Sequence, residues 1–140
     1  MAKPTRNSTL YRLIEAGQLA HKALMMPLLD RGLEPGDDAI LFVLGEKGAT
    51  EAQLGALTGL DPESLSRRLA RLVERDLLAH RAVGPQLEPG IALTDRGERI
   101  RLVLAENWEN LEEALFGELK KKKRKQLAET LKRFTELLRL

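Results

Sequence analysis

Apolar positions recur at helical spacing on both sides of a glycine turn in residues 50–78 of this chain. Leu54 and Leu57 give the segment before the turn one apolar face. After the turn, an apolar stripe at i, i+4 and i+7 is formed by Leu65, Leu69 and Leu72. Stripes of this kind face the core in amphipathic helices. The pattern therefore predicts two short helices, residues 50–58 and residues 62–76, joined by a tight turn.

Start and stop signals stand at the ends of both helices. Thr50 can cap the first helix together with Gln53, and Gly59 can adopt the left-handed conformation that ends it. Asp61 and Pro62 are typical of the cap and the first position of a second helix. A short helix, a turn and a second helix form the helix-turn-helix motif, whose second helix enters the major groove of DNA.

One flank of the second helix is basic. A projection at about 100° per residue groups Ser64 on that flank with Arg67, Arg68, Arg71 and Arg75. We expect this strip to be exposed and to face duplex DNA. The alternative is a solvated helix face that is rich in arginine because arginine is a good helix former.

A further helix is predicted at the N-terminus, where Ser8 or Thr9 can cap a segment that runs to about residue 31. Pro27 lies inside this segment and predicts a kink or break near Met25–Met26, because proline lacks the backbone N–H that a helix interior needs. Apolar residues occur on more than one side of the segment, which predicts burial against a partner as well as against the chain's own core.

The next segment begins with two acidic residues. Asp37 and Asp38 start a helix whose apolar centre should pack beneath the helix-turn-helix, and Gly45 weakens it before Gly48 ends it. We interpret the two carboxylates as a helix start and not as a catalytic pair.

The periodicity changes after Leu78. Residues 79–83 and 91–93 are typical of two short strands, and the intervening Gly-Pro-Gln-Leu-Glu-Pro-Gly excludes a helix. A helix-turn-helix followed by a small hairpin is a winged helix, with the wing at residues 79–94.

Two more helices are predicted after the wing. Thr94 or Asp95 caps a long helix that breaks at Gly117, and a final helix from about Lys120 has an apolar seam at three- and four-residue spacing. The terminal helices have more apolar surface than a small monomer could cover. We therefore predict a homodimer. Its dimerisation helices lie in residues 8–33 and 98–140, on either side of a DNA-binding lobe in residues 36–97.

Composition limits the remaining possibilities. The 140 residues suit a single domain of mainly α class with a small β-hairpin. The net charge is only +2, so DNA affinity must come from the positions of the charges on the surface.

The chain has no cysteine, and His21 and His80 lack carboxylates at metal-ligand spacing, so we expect no metal and no other cofactor. Neither a signal peptide nor a membrane-length apolar run is present, which predicts a cytoplasmic protein with no membrane partner. The usual catalytic motifs are missing, which argues against an enzyme.

The order of these elements resembles the MarR family of bacterial transcription regulators. The resemblance covers essentially the whole chain and rests on the helix around Leu54–Leu57, on Leu60–Arg67, on Leu72 through Leu78, and on Leu93-Thr94-Asp95-Arg96-Gly97. It implies a homodimeric winged-helix repressor or activator on pseudo-palindromic double-stranded DNA. Many relatives respond to a small aromatic or anionic effector.

The resemblance also implies roles for individual residues. Base or phosphate contacts are implied for Ser64, Ser66 and Arg67, and phosphate or groove contacts for Arg68 and Arg71. Thr50 and Gln53, at a helix start, could donate to phosphate. An effector pocket could be lined by Met25, Met26 and Trp108, although core packing is the alternative for each.

Three departures from the family pattern matter. The wing tip carries no basic residue, so Arg81, lower on the strand, is the nearest substitute for the usual wing arginine. Asp76 stands where a glycine usually ends the recognition helix. The run Lys120–Lys125 is either a solvated helix start or a second contact with DNA or a partner. The rival hypothesis is a winged-helix protein-interaction module that no longer binds DNA.

Overall fold

The computed structural model describes residues 3–139, which form six helices and one two-stranded antiparallel sheet. In chain order the elements are α1 Thr9–Leu29, α2 Asp37–Leu44, α3 Glu51–Thr58, α4 Pro62–Glu74, β1 Leu78–Val83, β2 Glu88–Leu93, α5 Asp95–Phe116 and α6 Lys121–Leu138. This is the mainly α class with a β-hairpin that the hydrophobic pattern predicted.

The chain divides into two compact units, residues 1–107 and residues 108–140, and the division falls inside α5. The first unit holds the buried apolar core, to which the end of α1, the helices α2 to α4, the hairpin and the start of α5 all contribute. In the second unit, the end of α5 is followed by α6, and no described residue of α6 is buried.

The helix-turn-helix forms as its local signals predict. Thr50 Oγ1 accepts from the backbone N–H of Gln53 at 3.1 Å, and Gln53 Oε1 accepts from the N–H of Thr50 at 2.9 Å, which completes a capping box. Gly59 ends α3 in the left-handed region with φ 72°. The carboxylate of Asp61 then accepts from the N–H of Ser64 and caps α4.

The turn after α4 also holds the start of α5. Asp76 adopts the left-handed conformation with φ 62°, as expected for an aspartate in place of a glycine. Thr94 Oγ1 donates to the carbonyl of Asp76 and accepts from the N–H of Gly97, so Thr94 is the cap of α5. A Cβ at Gly97 would lie 2.1 Å from the carbonyl oxygen of Leu77. Glycine is therefore required here by the close approach of two backbones.

The second strand of the wing is longer than predicted. Strand β2 begins at Glu88 rather than at residue 91, and Pro89 pairs with Ala82 in the register of the sheet. Both strands of a two-stranded sheet are edge strands. Pro89 is tolerated there because its missing N–H does not interrupt the hydrogen bonds of a central strand. Ala49 adds an isolated bridge to Ile91, with reciprocal backbone hydrogen bonds of 2.9 and 2.8 Å.

Two helices end later or earlier than the sequence suggests. Of the kink or break predicted near Met25–Met26, the break does not occur, because α1 runs through Pro27 to Leu29. Helix α2 ends at Leu44 with Gly45 as its cap, earlier than the predicted end at Gly48. Gly45 has φ 57°, a conformation that glycine adopts readily and that stops the helix at the first opportunity.

Candidate nucleic-acid interface

The exposed face of α4 differs from the predicted basic strip. Besides Pro62 at its start, the helix exposes Glu63, Ser66, Arg67, Ala70 and Glu74. Arg67 is thus the one arginine on this face, and acidic residues lie one turn before it and two turns after it. We call this set of residues, from Glu63 to Glu74, the outer face of α4.

Arg68 and Arg71 point away from the outer face and bind the buried carboxylate of Asp37. Arg71 donates to both oxygens of Asp37 at 2.7 and 2.6 Å, and Arg68 donates to one of them at 3.1 Å. The Asp37 side chain is 0% exposed, and those of Arg68 and Arg71 are 21% and 20% exposed. The prediction that these two arginines belong to an exposed strip was wrong, because their charge compensates a buried carboxylate. Their role as DNA contacts stays a prediction.

Arg75 belongs to the same internal arrangement. Its guanidinium donates to the carbonyl of Gly32, and Arg71 also lies 3.5 Å from a carboxylate oxygen of Glu34. Asp37 accepts in addition from the N–H of Glu34 at 2.8 Å. The α1–α2 connection and the first residue of α2 therefore bind three of the four arginines that the helical projection grouped as basic, Arg68, Arg71 and Arg75. We call this arrangement the Asp37 clamp.

Ser64 and Ser66, predicted to contact DNA, differ in their surroundings. The Ser66 hydroxyl donates to the carboxylate of Glu51 in α3, which joins the starts of the two helices. Ser64 is half-buried, and its N–H is used in the cap with Asp61. Of the three recognition positions, Arg67 is the one that is exposed and also forms no side-chain hydrogen bond or ion pair within residues 3–139.

The predicted phosphate contacts lie beside the wing. Thr50 and Gln53 line a cleft of about 320 Å³ between the start of α3 and the hairpin, together with Lys47 and Glu88. Lys47 is exposed, and sequence reasoning missed it as a basic group near a helix start. Arg81 is also exposed, on β1. The cleft thus has one cation and one anion at its rim.

Asp37 was the other functional residue that sequence reasoning missed. The sequence signal for a buried carboxylate is an acidic pair at the start of an otherwise apolar helix, which the sequence analysis explains by capping alone. The cap explanation fits Asp38, whose carboxylate accepts from the N–H of Gly36 at 3.0 Å and pairs with His21 at 3.0 Å. Asp37 is buried, and a buried carboxylate requires cationic partners elsewhere in the sequence.

The three residues predicted to line an effector pocket lie in different environments. Met25 is 1% exposed within the core, whereas its neighbour Met26 is 57% exposed. Trp108 lies in the second unit, where its indole N–H donates to Glu112 at 3.3 Å. The assignment of these three residues to an effector pocket stays a prediction.

The basic run that precedes and begins α6 is exposed along its length. Arg124 pairs with Glu112 at 3.2 Å, and its guanidinium lies 5.8 Å from the centre of the Phe116 ring. One member of the run thus joins α6 to the end of α5 by an ion pair and a cation–π contact.

Within residues 3–139, no three histidine or acidic side chains are grouped closely enough to hold a metal ion. None of the described helices combines the length and the apolar character needed to cross a bilayer.

Comparison with solved structures identifies the fold. CouR from Rhodococcus jostii RHA1, solved with p-coumaroyl-CoA bound, is 21% identical with a TM-score of 0.78 over 93% of each chain. A MarR-family transcriptional regulator from Rhodococcus sp. RHA1 is 21% identical with a TM-score of 0.74, covering 93% of this chain and 95% of its own. BpsR from Bordetella bronchiseptica, described as regulated in DNA binding by 6-hydroxynicotinic acid, is 18% identical with a TM-score of 0.76, covering 96% and 98%.

By sequence alone, no family model and no curated protein matches the chain. The structural likeness nevertheless extends over nearly the whole length of both partners in each comparison. The chain therefore has the winged-helix fold of MarR-family transcriptional regulators.

Proposed function

We propose that this chain is a MarR-like transcriptional regulator that binds pseudo-palindromic duplex DNA as a homodimer. The observation that carries the proposal is the fold of MarR-family regulators combined with an unpaired Arg67 on the exposed face of the recognition helix α4. In a helix-turn-helix, residues near the start of the second helix reach base edges in the major groove. We propose no catalytic role for the chain, and we expect it to bind DNA in the cytoplasm.

Arg67 is the residue we propose for base readout. It lies in the second turn of α4, and its guanidinium has donors in a planar fork that matches the acceptors of guanine. The Asp37 clamp supports this role indirectly. By binding Arg68 and Arg71, it fixes the rotation of α4 and so determines which face of the helix points outward.

Phosphate contacts are proposed for the start of α3 and for the wing. Thr50 and Gln53 keep free donor groups after forming the capping box, and backbone N–H groups at a helix start attract anions. Lys47 and Arg81 supply exposed positive charge nearby. The wing tip from Gly84 to Leu87 has no basic residue, so we expect little contribution from it.

The homodimer is proposed because the terminal helices expose apolar side chains. Helix α1 has no buried residue before Leu24, and the large apolar side chains of Leu10, Ile14 and Leu19 are exposed.

A small-molecule effector is proposed because solved proteins of the same fold were obtained with ligands, p-coumaroyl-CoA among them. We therefore propose that a ligand controls the DNA binding of this protein, which acts as a repressor or an activator.

The test is selection of bound duplexes from random DNA with the unmodified chain and with Arg67→Ala. The unmodified chain should select two related half-sites about one helical turn apart. Arg67→Ala should cost about 1–3 kcal/mol at that site and relax one base preference. Arg6→Ala is the matched control, an exposed arginine outside α4, and should leave the preference unchanged. An unchanged preference in Arg67→Ala would contradict the assigned role.

A second candidate function is a protein-interaction module without DNA binding. It is favoured by Glu63 and Glu74 beside Arg67 and by Glu88 in the wing, which would oppose phosphate. Gel shifts at low and high salt distinguish the two. A DNA binder that displaces several counterions must weaken steeply as salt rises, whereas absence of binding at low salt supports the interaction module.

A further inference from the structure

A side-chain hydrogen bond joins the two helices of the helix-turn-helix on the side that the proposed interface turns toward DNA. The hydroxyl of Ser66, in the second turn of α4, donates to Oε1 of Glu51, the first residue of α3, at 2.5 Å. This length lies at the short end of the range for a hydroxyl that donates to a carboxylate. Both residues are exposed, so the bond forms at the surface and not in the core.

The bond borders an open cleft between α4 and the wing. The cleft has a volume of about 280 Å³, and its lining includes Glu51, Ser66, Ala70 and His80. Ser66 and Ala70 belong to the outer face of α4, whereas His80 lies on β1. The bonded pair therefore lies on the same exposed surface as Arg67, the residue proposed for base readout.

The chemistry of the two groups determines the direction of the bond. A carboxylate has acceptor oxygens and no proton to donate, whereas a serine hydroxyl has one proton and two lone pairs. Ser66 therefore supplies the proton of this bond. What remains on its oxygen is acceptor capacity alone.

A hydroxyl whose proton is already used cannot donate to DNA. Phosphate oxygens are acceptors, and so are O6 and N7 of guanine and O4 of thymine in the major groove, so none of them can bind such a hydroxyl. The donors at the base edges in this groove are the amino groups N4 of cytosine and N6 of adenine. An acceptor-only oxygen is therefore complementary to an amino group and to nothing else at these edges.

We propose that Glu51 determines base specificity through Ser66. By holding the hydroxyl proton, Glu51 makes Ser66 an acceptor that selects adenine or cytosine on the strand that it faces. Ser66 makes the contact, and Glu51 is a positioning residue. A guanine or thymine at this position is rejected, because its acceptor oxygen meets the lone pairs of Ser66 with no proton between them.

The inference rests on the proposed function and deepens it. Adjacent residues of α4 present opposite hydrogen-bonding groups to DNA, since Arg67 has donors only and Ser66 keeps acceptors only. The base or phosphate contact that the family resemblance implies for Ser66 is thereby narrowed to a base. The recognition helix then reads two neighbouring positions with different chemistry.

The test measures base preference with the full chain. A binding site is selected from random duplexes, and each position of one half-site is then varied through all four base pairs in competition gel shifts. One position on one strand should prefer adenine and cytosine over guanine and thymine by about threefold to tenfold, as expected for one hydrogen bond. Ser66→Ala should abolish this preference. It should leave the salt dependence of binding unchanged, because no phosphate contact is lost.

Glu51→Ala tests whether the carboxylate acts through Ser66. Without the carboxylate, the hydroxyl can turn and donate, so guanine and thymine should be accepted as well and the whole preference should disappear. The double variant Glu51→Ala/Ser66→Ala should lose no more than either single variant. Two partial losses that add up in the double variant would mean two independent contacts and would overturn the inference. The capping box of α3 uses Thr50 and Gln53 and is retained, so urea denaturation should show a folded chain.

Glu63→Ala is the matched control. Glu63 is also an exposed glutamate, in the first turn of α4, but the hydroxyl of Ser66 donates to Glu51 and not to Glu63. Removing its negative charge should strengthen binding to the four duplexes by a similar factor and leave the base preference unchanged. Loss of the preference in Glu63→Ala as well would reduce the effect to net charge and overturn the role of Glu51.

Two other results would also contradict the inference. One is a selected site whose base preferences all survive Ser66→Ala. The other is a shallower salt dependence in Ser66→Ala, which would make Ser66 a phosphate contact. In both cases the chain still selects a duplex, so the proposed function stands. A folded chain that binds no duplex even at low salt would instead overturn the proposed function, and the inference with it.

Discussion

A carboxylate without solvent contact is tolerated only where its charge is compensated, and Asp37 obtains this from two arginines of the recognition helix. The arrangement is asymmetric. Arg71 binds both carboxylate oxygens, whereas Arg68 binds one and leaves its buried Nε without a partner in residues 3–139. Arg71 is therefore the stronger of the two partners.

Asp37→Asn tests the clamp. The substitution keeps the shape of the side chain but removes the charge that compensates two partly buried guanidinium groups. Breaking a buried ion pair costs about 3–5 kcal/mol, and since the arginines are one-fifth exposed we expect about 3 kcal/mol in the free energy of unfolding. Urea denaturation at fixed protein concentration measures it.

Asp38→Asn is the control for this prediction. It removes an adjacent carboxylate whose partner His21 is largely exposed, so the cost should stay below about 1 kcal/mol. Similar costs for Asp37→Asn and Asp38→Asn would mean that the clamp adds nothing beyond ordinary helix capping.

At the scale of elements, α1 tolerates an internal proline because another helix replaces the missing bond. Pro27 has no N–H to donate to the carbonyl of Ala23, four residues earlier. The side-chain amide of Asn107 in α5 donates to that carbonyl at 3.2 Å and to the carbonyl of Leu24 at 2.8 Å. The expected break at Pro27 is therefore avoided by a contact with α5.

Asn107→Ala should destabilise the chain by about 1–2 kcal/mol, because it leaves the two carbonyls without this donor. In a Pro27→Ala background, residue 27 can donate to Ala23, so the same substitution should cost less. A double-mutant cycle in urea gives the coupling between the two positions. Additive effects would show that Asn107 does not compensate for the proline.

Elements whose signals are local could be predicted from the sequence. The capping box at Thr50, the stop at Gly59 and the cap at Asp61 each involve residues within a few positions, and the structure has them all. The arginine flank could not be predicted, because a helical projection shows which residues share a face but not which face another segment covers. The partner of Arg68 and Arg71 lies more than thirty positions away.

The same reasoning explains the rest of the candidate interface. The predicted exposure of Arg67 on the second helix is confirmed, whereas its contact with DNA stays a prediction. A cleft that is lined by Arg31, Arg96 and Arg99 was not predicted, because Arg31 is separated from the other two by more than sixty positions of sequence. Only the packing of the end of α1 near the start of α5 places the three together.

At the scale of the whole molecule, the apolar seam of α6 is left partly exposed. Leu127, Leu131 and Phe134 repeat at helical spacing, and each remains more than one-third exposed. Burying such side chains gains about 25 cal/mol for each Å² removed from water. A second copy of the chain would supply an equivalent surface, as expected for a twofold-symmetric interface.

Leu131→Glu therefore tests the homodimer. A charge in the middle of the seam should shift the chain from dimer to monomer at micromolar concentration in sedimentation equilibrium, because an unpaired carboxylate is costly to bury. Leu87→Glu is the matched control, since Leu87 is an equally large and even more exposed side chain at the wing tip, outside the proposed interface. It should leave the dimer intact. A monomeric unmodified chain, or a dimer unaffected by Leu131→Glu, would rule out α6 as the dimerisation surface.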